Sequence, residues 1–317
     1  QYIGNGEKIG VPEYLEEAVR TQMALTGCRP DAVAVDLHPG YSNRRFGRLL
    51  AEECGAELVE VQHHWAHAAS LMVDNGIDGC VALTLDGTGH GDDGTAWGGE
   101  VLIADLDRYV RAGHLQPIPL LGGDKALYDL RRLRFAIDRM NGEDNHDFTD
   151  SEAAVLGKMM DRSVTTSSMG RVLDAISYTL GVCTRRSYDG EPAMKLETLL
   201  NRGRLVEGYR PETKGNVVMT AELFSRIGPK DRPEDVAYSM VHGIVGELCQ
   251  IAVDAADSSG IGPVGLTGGV SYNSAISCMF TNTVISSNHV ATLHSQVPNG
   301  DCGISTGQVA VALKRIQ

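Results

Sequence analysis

Residues 59–100 read VEVQHHWAHAASLMVDNGIDGCVALTLDGTGHGDDGTAWGGE. A strand-like LVEV, residues 58–61, runs directly into His63, His64 and His67. His63 and His67 are four residues apart, so a helix starting near His63 puts both imidazoles on one face, where they can grip one ion. Surface or capping histidines show the same spacing, and HxxxH alone does not separate the two readings. Position adds weight: the pair would sit at the carboxyl end of a strand, where ligands of α/β sheets bind. CVALTLD, residues 80–86, reads as a further strand and ends in Asp86, a hard oxygen donor. Two histidines and a carboxylate suit Fe, Zn or Mn.

Working outward, residues 12–26 predict a helix. Pro12 lies in its first turn, Leu15, Ala18, Val19 and Met23 make an apolar stripe, and Gly27 stops it. AVAVDL (32–37) predicts a buried strand. Ser42 is positioned to cap a helix running to Glu53, ended by Gly55. ELVEV (57–61) is the next strand. The order α-β-α-β-α implies parallel pairing. After residue 80 the pattern changes to three antiparallel strands, CVALTLD, TAWGGEVLIADL and YVRAGHLQPI, the first two joined by the turn GTGHGDDG. Residues 124–233 are polar and irregularly patterned, with helices predicted at 125–140, 151–160 and 167–180. AYSMVHGIVGELCQIAVDAA (237–256) predicts a long helix with apolar positions at 240, 241, 244, 245, 248, 251 and 252. GPVGLTGG is a strand and glycine turn, 271–282 a helix, HVATLH a strand, and a last helix follows Gly303.

The 317 residues allow a sizeable core in one large or two moderate domains. Hydrophobic residues make up 42% and charged residues 22%, an ordinary globular balance. With 28 Lys and Arg against 41 Asp and Glu, the formal net charge is −13, the wrong sign for a nucleic-acid binder. The one dense basic cluster, Arg131, Arg132 and Arg134, is equally explained as a solvated helix face. No apolar run approaches the roughly 18 residues of a membrane span, and no signal peptide opens the chain. The seven cysteines lack CxxC pairing and read as reduced thiols of a cytoplasmic protein, mostly buried. The start at Gln1, apparently in mid-segment, suggests a piece of a longer protein. There is no GxSxG or Ser/His/Asp order and no cysteine in a nucleophile motif, which disfavours covalent catalysis.

Three strands, an insertion, then α-β-α-β-α resembles one lobe of the actin/Hsp70/sugar-kinase ATPase superfamily. The first half resembles the partner lobe without its first strands, which are expected upstream of Gln1. This implies an α/β, two-lobed fold: 1–78 a truncated first lobe, 79–123 and 234–317 the second lobe, and 124–233 a mostly helical insertion. The motifs DLHPGYSNRRF, VQHHWAHAAS, LDGTGHGDDGTAWGGE, GGDKA, TSSMGRVLDAISYTLG, YDGEPAMKLE, LTGGVSYN and PNGDCGISTGQ occur in series. Together they resemble the C-terminal carbamoyltransferase domain of the HypF family of NiFe-hydrogenase maturation proteins, itself similar to the TsaD family that attaches threonylcarbamoyl to tRNA.

The resemblance implies an iron or zinc ion held by His63, His67, Asp86 and Asp301, the residues around which catalysis would occur. Taken alone, Asp301 reads as a helix cap before Ile304. His64 is expected to point elsewhere. Trp65 stands where the family usually has His, which leaves open what side chain lies between the ligands. The glycine loops suit ATP or AMP, because N–H groups unobstructed by Cβ can surround phosphates. Gly87, Gly89, Gly91 and Gly94 form one loop, around Asp92 and Asp93; Gly268 and Gly269 form another, between strand and helix. Gly122 and Gly123 could bring Lys125 to the phosphates, or leave it solvated. Asp174 and Glu191 are candidates for ribose or carbamoyl contacts or for surface and capping roles. Asn273 starts a helix and is a further nucleotide candidate; Mg is a further candidate ion.

The implied reaction takes carbamoyl-AMP, made from carbamoyl phosphate and ATP by an upstream YrdC-like domain. It transfers the carbamoyl group to the C-terminal Cys of the partner HypE, on the way to cyanide. The alternatives are tRNA threonylcarbamoyl transfer, small-molecule O-carbamoyl transfer, and a non-catalytic ATP-binding scaffold.

Overall fold

The computed structural model describes residues 8–144 and 147–317; the chain start at Gln1 lies outside them. Helix α1 (Val11–Thr26) ends at Gly27 in the left-handed conformation. Strand β1 (Ala32–Asp36), helix α2 (Asn43–Cys54) and strand β2 (Glu57–Val61) follow. β1 and β2 pair in parallel as expected, with Asp36 opposite Val61, so their carboxyl ends lie side by side. β1 is only partly covered over its first three residues, less buried than its composition suggests. Ser42 precedes α2, yet its side chain makes no capping hydrogen bond there. Helix α3 (His63–Asn75) starts directly after β2. Its N-cap is Gln62, whose side chain accepts the Trp65 N–H at 2.8 Å.

Strands β3 (Gly79–His90), β4 (Ala96–Asp105) and β5 (Tyr109–Leu115) form the expected antiparallel meander. The predicted turn over 87–94 is shorter than its composition suggests. β3 runs on to His90, and its register against β4 shifts between Leu85 and Gly89. A two-residue β6 (Ile118–Pro119) leads to α4 (Lys125–Tyr128) and α5 (Arg131–Met140). The single helix predicted over 125–140 is therefore broken. Asp129 leaves helical geometry, with φ −103° and ψ 88°. Its carboxylate is engaged by Arg131 at 2.8 and 2.9 Å. Next come α6 (Asp150–Met159), opened by a Thr149/Glu152 capping box, β7 (Thr165–Thr166) and α7 (Met169–Thr179). Helix α8 (Glu191–Leu200) was not predicted, although Gly190 and Pro192 mark its start. The hairpin β8 (Glu212–Lys214) and β9 (Val217–Met219) precedes α9 (Pro233–Ser259). β10 (Pro263–Thr267), α10 (Ser274–Ser286), β11 (Val290–Thr292) and α11 (Ile304–Arg315) complete the chain.

Among the described residues the larger sheet has nine strands. Its main path is β11-β10-β3-β4-β5-β9-β8, and β6 and β7 lie beside it. Residues 124–233 thus contribute β7, β8 and β9 to the main sheet, and their helices share its core. All seven predicted apolar positions of α9 are buried. Each of the six larger side chains, Ala252 excepted, contributes about 1.5–3 kcal/mol relative to exposure. α9 is also long and apolar enough by length and composition to cross a membrane, with mean hydropathy 1.4 over its best window, which the sequence reading missed. Two thirds of that window is buried in the protein.

A second core joins Val59 and Val61 of β2, Trp65, Ala66 and Ala69 of α3, and Ile304, Val311 and Ala312 of α11. α11 packs on α3 and β1. A Cβ on Gly307 would lie 1.9 Å from the Ala66 carbonyl oxygen, so glycine is what allows this approach. All seven cysteines are free thiols, but only Cys80, Cys183 and Cys249 are buried; Cys28, Cys278 and Cys302 are exposed. The expectation of mostly buried thiols does not hold.

Candidate functional site

The start of α3, the end of the regular part of β3 and the turn before α11 converge. His63 and His67 come from the first turns of α3, Asp86 from β3, and Asp301 from a short 3-10 turn at Asp301–Gly303. One ligand atom from each of the four lies within 4.8 Å of the others. His63 Nε2 is 3.3 Å from Asp86 Oδ2 and 3.8 Å from Asp301 Oδ1. His67 Nε2 is 3.8 Å from Asp86 Oδ2 and 3.7 Å from Asp301 Oδ1. Two ligands placed tetrahedrally at about 2.1 Å from an ion would themselves be about 3.4 Å apart. His63, His67 and Asp86 are buried, while the Asp301 side chain is 75% exposed.

His67 supplies the test of fit. Neither of its ring nitrogens has a hydrogen-bond partner among the described residues, although both are buried. A buried polar group without a partner is costly, and a cation at the focus of these four residues would satisfy Nε2. The electrostatics agree. Burial works against an imidazolium at His63, but Asp36 and Asp86 outweigh it and hold the pKa up at about 10. His67 is likewise raised against burial, by Asp301 and Asp86. Burial opposes ionisation of Asp86, yet His63 and His67 keep it well below the usual carboxylate range. A field that favours positive charge on these imidazoles favours a bound cation in the same place.

Sequence reasoning missed Asp36. The His63 Nδ1–H donates to Asp36 Oδ2 at 2.9 Å, which leaves Nε2 free to face the site. A carboxylate behind a ligand histidine is a common way to fix its tautomer and orientation. The signal was present: Asp36 ends β1, the parallel neighbour of the strand that leads into His63. Asp86 is also oriented from behind, since its Oδ1 accepts the Gly269 N–H at 3.1 Å.

The predicted glycines separate by role. A Cβ on Gly89 would meet the His63 and His64 rings at 2.5 Å, and one on Gly91 the Trp97 indole at 2.1 Å. These two glycines permit close packing against those rings. Gly94 makes a left-handed turn at φ 75°, and only Gly87 among the four combines an ordinary backbone with open space. Gly268, at φ 94°, passes so close to β3 that a Cβ would lie 2.4 Å from the Leu85 carbonyl oxygen. A Cβ on Gly269 would lie 2.9 Å from Asp86 Oδ1.

The other candidates are placed as follows. Lys125 is exposed at the start of α4. Asp174 is fully buried on α7 and is ion-paired with Arg171, Nη2 to Oδ2 at 2.8 Å, with no well-aligned hydrogen bond to either oxygen among the described residues. Arg171 Nη1 reaches Thr88 Oγ1 at 3.4 Å, which puts this pair beside Gly87. Glu191 accepts from Lys195 Nζ at 2.7 Å and from the Ser187 N–H and hydroxyl at 2.6 Å each. Lys195 first, then Ser187, pull its pKa down to about 2. Asn273 caps α10 by accepting the Ile276 N–H at 3.1 Å. The bonds of Glu191 and Asn273 are local and do not reach the four ligands. His64 points away from the ligand focus, toward Gln62 at 3.3 Å. Trp65 also turns away, donating from Nε1 to the Asp105 carbonyl at 2.7 Å, so it does not stand between the ligands.

Glu100 was not anticipated either. It is fully buried and accepts from the Gly98 N–H at 2.5 Å, the Gly99 N–H at 2.7 Å, the Ser167 hydroxyl and Arg111 Nη2 at 2.9 Å. Burial pushes it up to about 7 against the pull of Arg111. Arg111 stacks 4.1 Å over Trp97 and reaches Asp93 at 3.2 Å, tying down the tip of the glycine-rich turn.

A small parallel sheet and a large mixed sheet, meeting at a cluster of two histidines and two carboxylates, define an actin/Hsp70/sugar-kinase type of fold. Residues 82–308 match the family model "Carbamoyltransferase, Kae1-like Domain, second subdomain", and residues 1–74 match "HypF Kae1-like domain". The chain belongs to the HypF carbamoyltransferase family. It is 38% identical to a probable carbamoyltransferase HypF of Methanocaldococcus jannaschii over 99% of this chain and 43% of that protein. It superposes on the crystal structure of T. kodakarensis HypF with TM-score 0.88 at 33% identity, covering 99% of this chain and 45% of that one. A full-length HypF solved in a phosphate- and nucleotide-bound form gives TM-score 0.88 at 27% identity, covering 100% and 52%. The chain thus spans about half the length of these relatives.

Proposed function

We propose that this chain performs the transfer half of a carbamoyltransferase reaction, from carbamoyl-AMP to the thiolate of the C-terminal Cys of HypE, in the cytoplasm. The observation that carries the reading is the convergence of His63, His67, Asp86 and Asp301 around the unpartnered nitrogens of His67. An iron or zinc ion held there would supply Lewis acidity to the carbamoyl carbonyl. The chain's own residues do the rest. Asp36 and the Gly269 N–H hold His63 and Asp86 in fixed orientations. The open backbone at Gly87 leaves room for the adenylate, and Asp174 with Arg171 offers buried polar groups beside it for ribose. The thiolate sulfur attacks the carbamoyl carbon, the bond from that carbon to the phosphate oxygen breaks, and AMP leaves with the electron pair. The nucleotide-bound relative supports an adenylate as substrate. The carbamoyl-AMP would come from a YrdC-like domain acting on carbamoyl phosphate and ATP, and dehydration on HypE would yield the cyanide precursor.

Two assays test this. With ATP and carbamoyl phosphate the chain should form no adenylate, and robust formation would overturn the division of labour. With labelled carbamoyl-AMP it should label HypE and not bulk tRNA. The reason is electrostatic: tRNA binding rewards many Lys and Arg contacts, and here acids exceed bases by 13. Label on tRNA alone would favour a TsaD-like function.

A further inference from the structure

A chain of buried polar groups lies behind the ligand cluster. Thr267 ends β10 and is fully buried. Its hydroxyl oxygen is 2.9 Å from His294 Nε2, and 3.4 Å from each of the carbonyl oxygens of His67 and Asn299. The His294 side chain is 1% exposed, and its Nδ1 faces Asp74 Oδ2 at 3.4 Å. Asp74, in the last turn of α3 and equally buried, also accepts the backbone N–H groups of Ser295 at 2.6 Å and Gln296 at 3.0 Å. Further along, the Asn299 carbonyl accepts the Gly268 N–H at 3.0 Å. Asp301 is two residues beyond Asn299.

The groups facing His294 decide its proton. Burial lowers the pKa of His294, and Asp74 opposes this only in part; Asp74 itself is held low by the N–H groups of Ser295 and Gln296, against its own burial. His294 Nδ1 makes no hydrogen bond among the described residues and meets Asp74 only by the 3.4 Å approach, while Nε2 lies within hydrogen-bond distance of the Thr267 hydroxyl. The line from Asp74 through His294 to Thr267 joins three elements: the C-terminal turn of α3, the segment 294–299 and the end of β10.

We propose that Asp74, His294 and Thr267 are positioning residues that set the Asp301 turn opposite His63 and His67. Asp301 is the exposed member of the ligand set, on a turn rather than a helix or strand, and it depends most on support from behind. The metal part of this proposal rests on the proposed transferase site; the positioning of the turn does not.

The test compares Thr267→Val, which keeps the shape and removes the hydroxyl, with Thr267→Ser, which keeps the hydroxyl. Amide hydrogen exchange over 297–303 in metal-free protein should quicken about tenfold in Thr267→Val and stay near wild type in Thr267→Ser, with α9 unchanged in both. Affinity for Zn, by chelator competition, should weaken about tenfold in Thr267→Val alone. Should Thr267→Val not fold, Asp74→Asn should change both readouts in the same direction. Equal exchange over 297–303 in wild type and the folded variant would overturn the proposal. A wild type that binds no Zn would instead remove the transferase reading, and the exchange comparison would still decide the positioning role.

Discussion

Purified His67→Ala protein should carry no stoichiometric metal, where wild type should carry about one Fe or Zn ion per chain. The substitution deletes a proposed ligand that is fully buried and whose ring nitrogens have no hydrogen-bond partner among the described residues. It leaves the backbone of α3 intact, since alanine is the best helix former. Without metal, the variant loses the approaches of His67 Nε2 to Asp86 and Asp301 together with the packing of the ring, so it should melt below metal-free wild type. Adding Zn at a hundred times its Kd should stabilise wild type by about 2.7 kcal/mol and the variant by almost nothing. Elemental analysis and paired thermal melts check both. Equal metal stoichiometry in the two proteins would remove His67 from the site.

Gly307→Val should be destabilising by about 3 kcal/mol and should also cost metal binding, although residue 307 is not a ligand. A Cβ at 307 would lie 1.9 Å from the Ala66 carbonyl and 2.8 Å from the Ser70 nitrogen, and backbone cannot rotate aside as a side chain can. α11 must then move away from α3. Ala66 is the residue before His67, and Asp301 lies just ahead of α11, so that movement separates ligands held by the two helices. Val309→Ala, on the same helix at 53% exposure, should stay within about 0.5 kcal/mol of wild type and serves as the control. Unchanged melting and metal content in Gly307→Val would show that α11 does not set the Asp301 position.

Strong periodic signals made much of this legible in the sequence. The βαβ order, the HxxxH pair on a helix after a strand, Asp86 on the next strand and the apolar face of α9 could all be read from local pattern; that the strand runs past Asp86 to His90 could not. Asp36 was missed although the parallel pairing of β1 with β2 was expected, because no spacing along the chain marks the last residue of β1 as the partner of His63. The glycines were visible but ambiguous. Glycine signals that a backbone comes close to something or bends freely, and it does not name the neighbour; for Gly89 and Gly91 the neighbours are His63, His64 and Trp97. Strands of two or three residues such as β7, β8 and β9 are too short to show a period of two. An amphipathic pattern gives α11 a face, but only the folded chain shows that the face meets α3.

The spread of the four ligands along the polypeptide also imposes a timetable. His63, His67 and Asp86 are made before Asp301, which follows about two hundred residues later. At ordinary ribosomal speed that gap lasts about ten to forty seconds. Throughout it, a nascent chain can offer an incoming ion at most three of the four donors, with the last side open to water and to competing chelators. The final ligand arrives with the turn that precedes α11, and α11 then docks beside Ala66 and closes the assembly. Firm retention of an ion at the proposed site would therefore wait for the segment that carries Asp301 and α11. Ribosome-bound chains halted before Asp301 should release Zn to a chelator much faster than the completed protein; equal release rates would contradict this order.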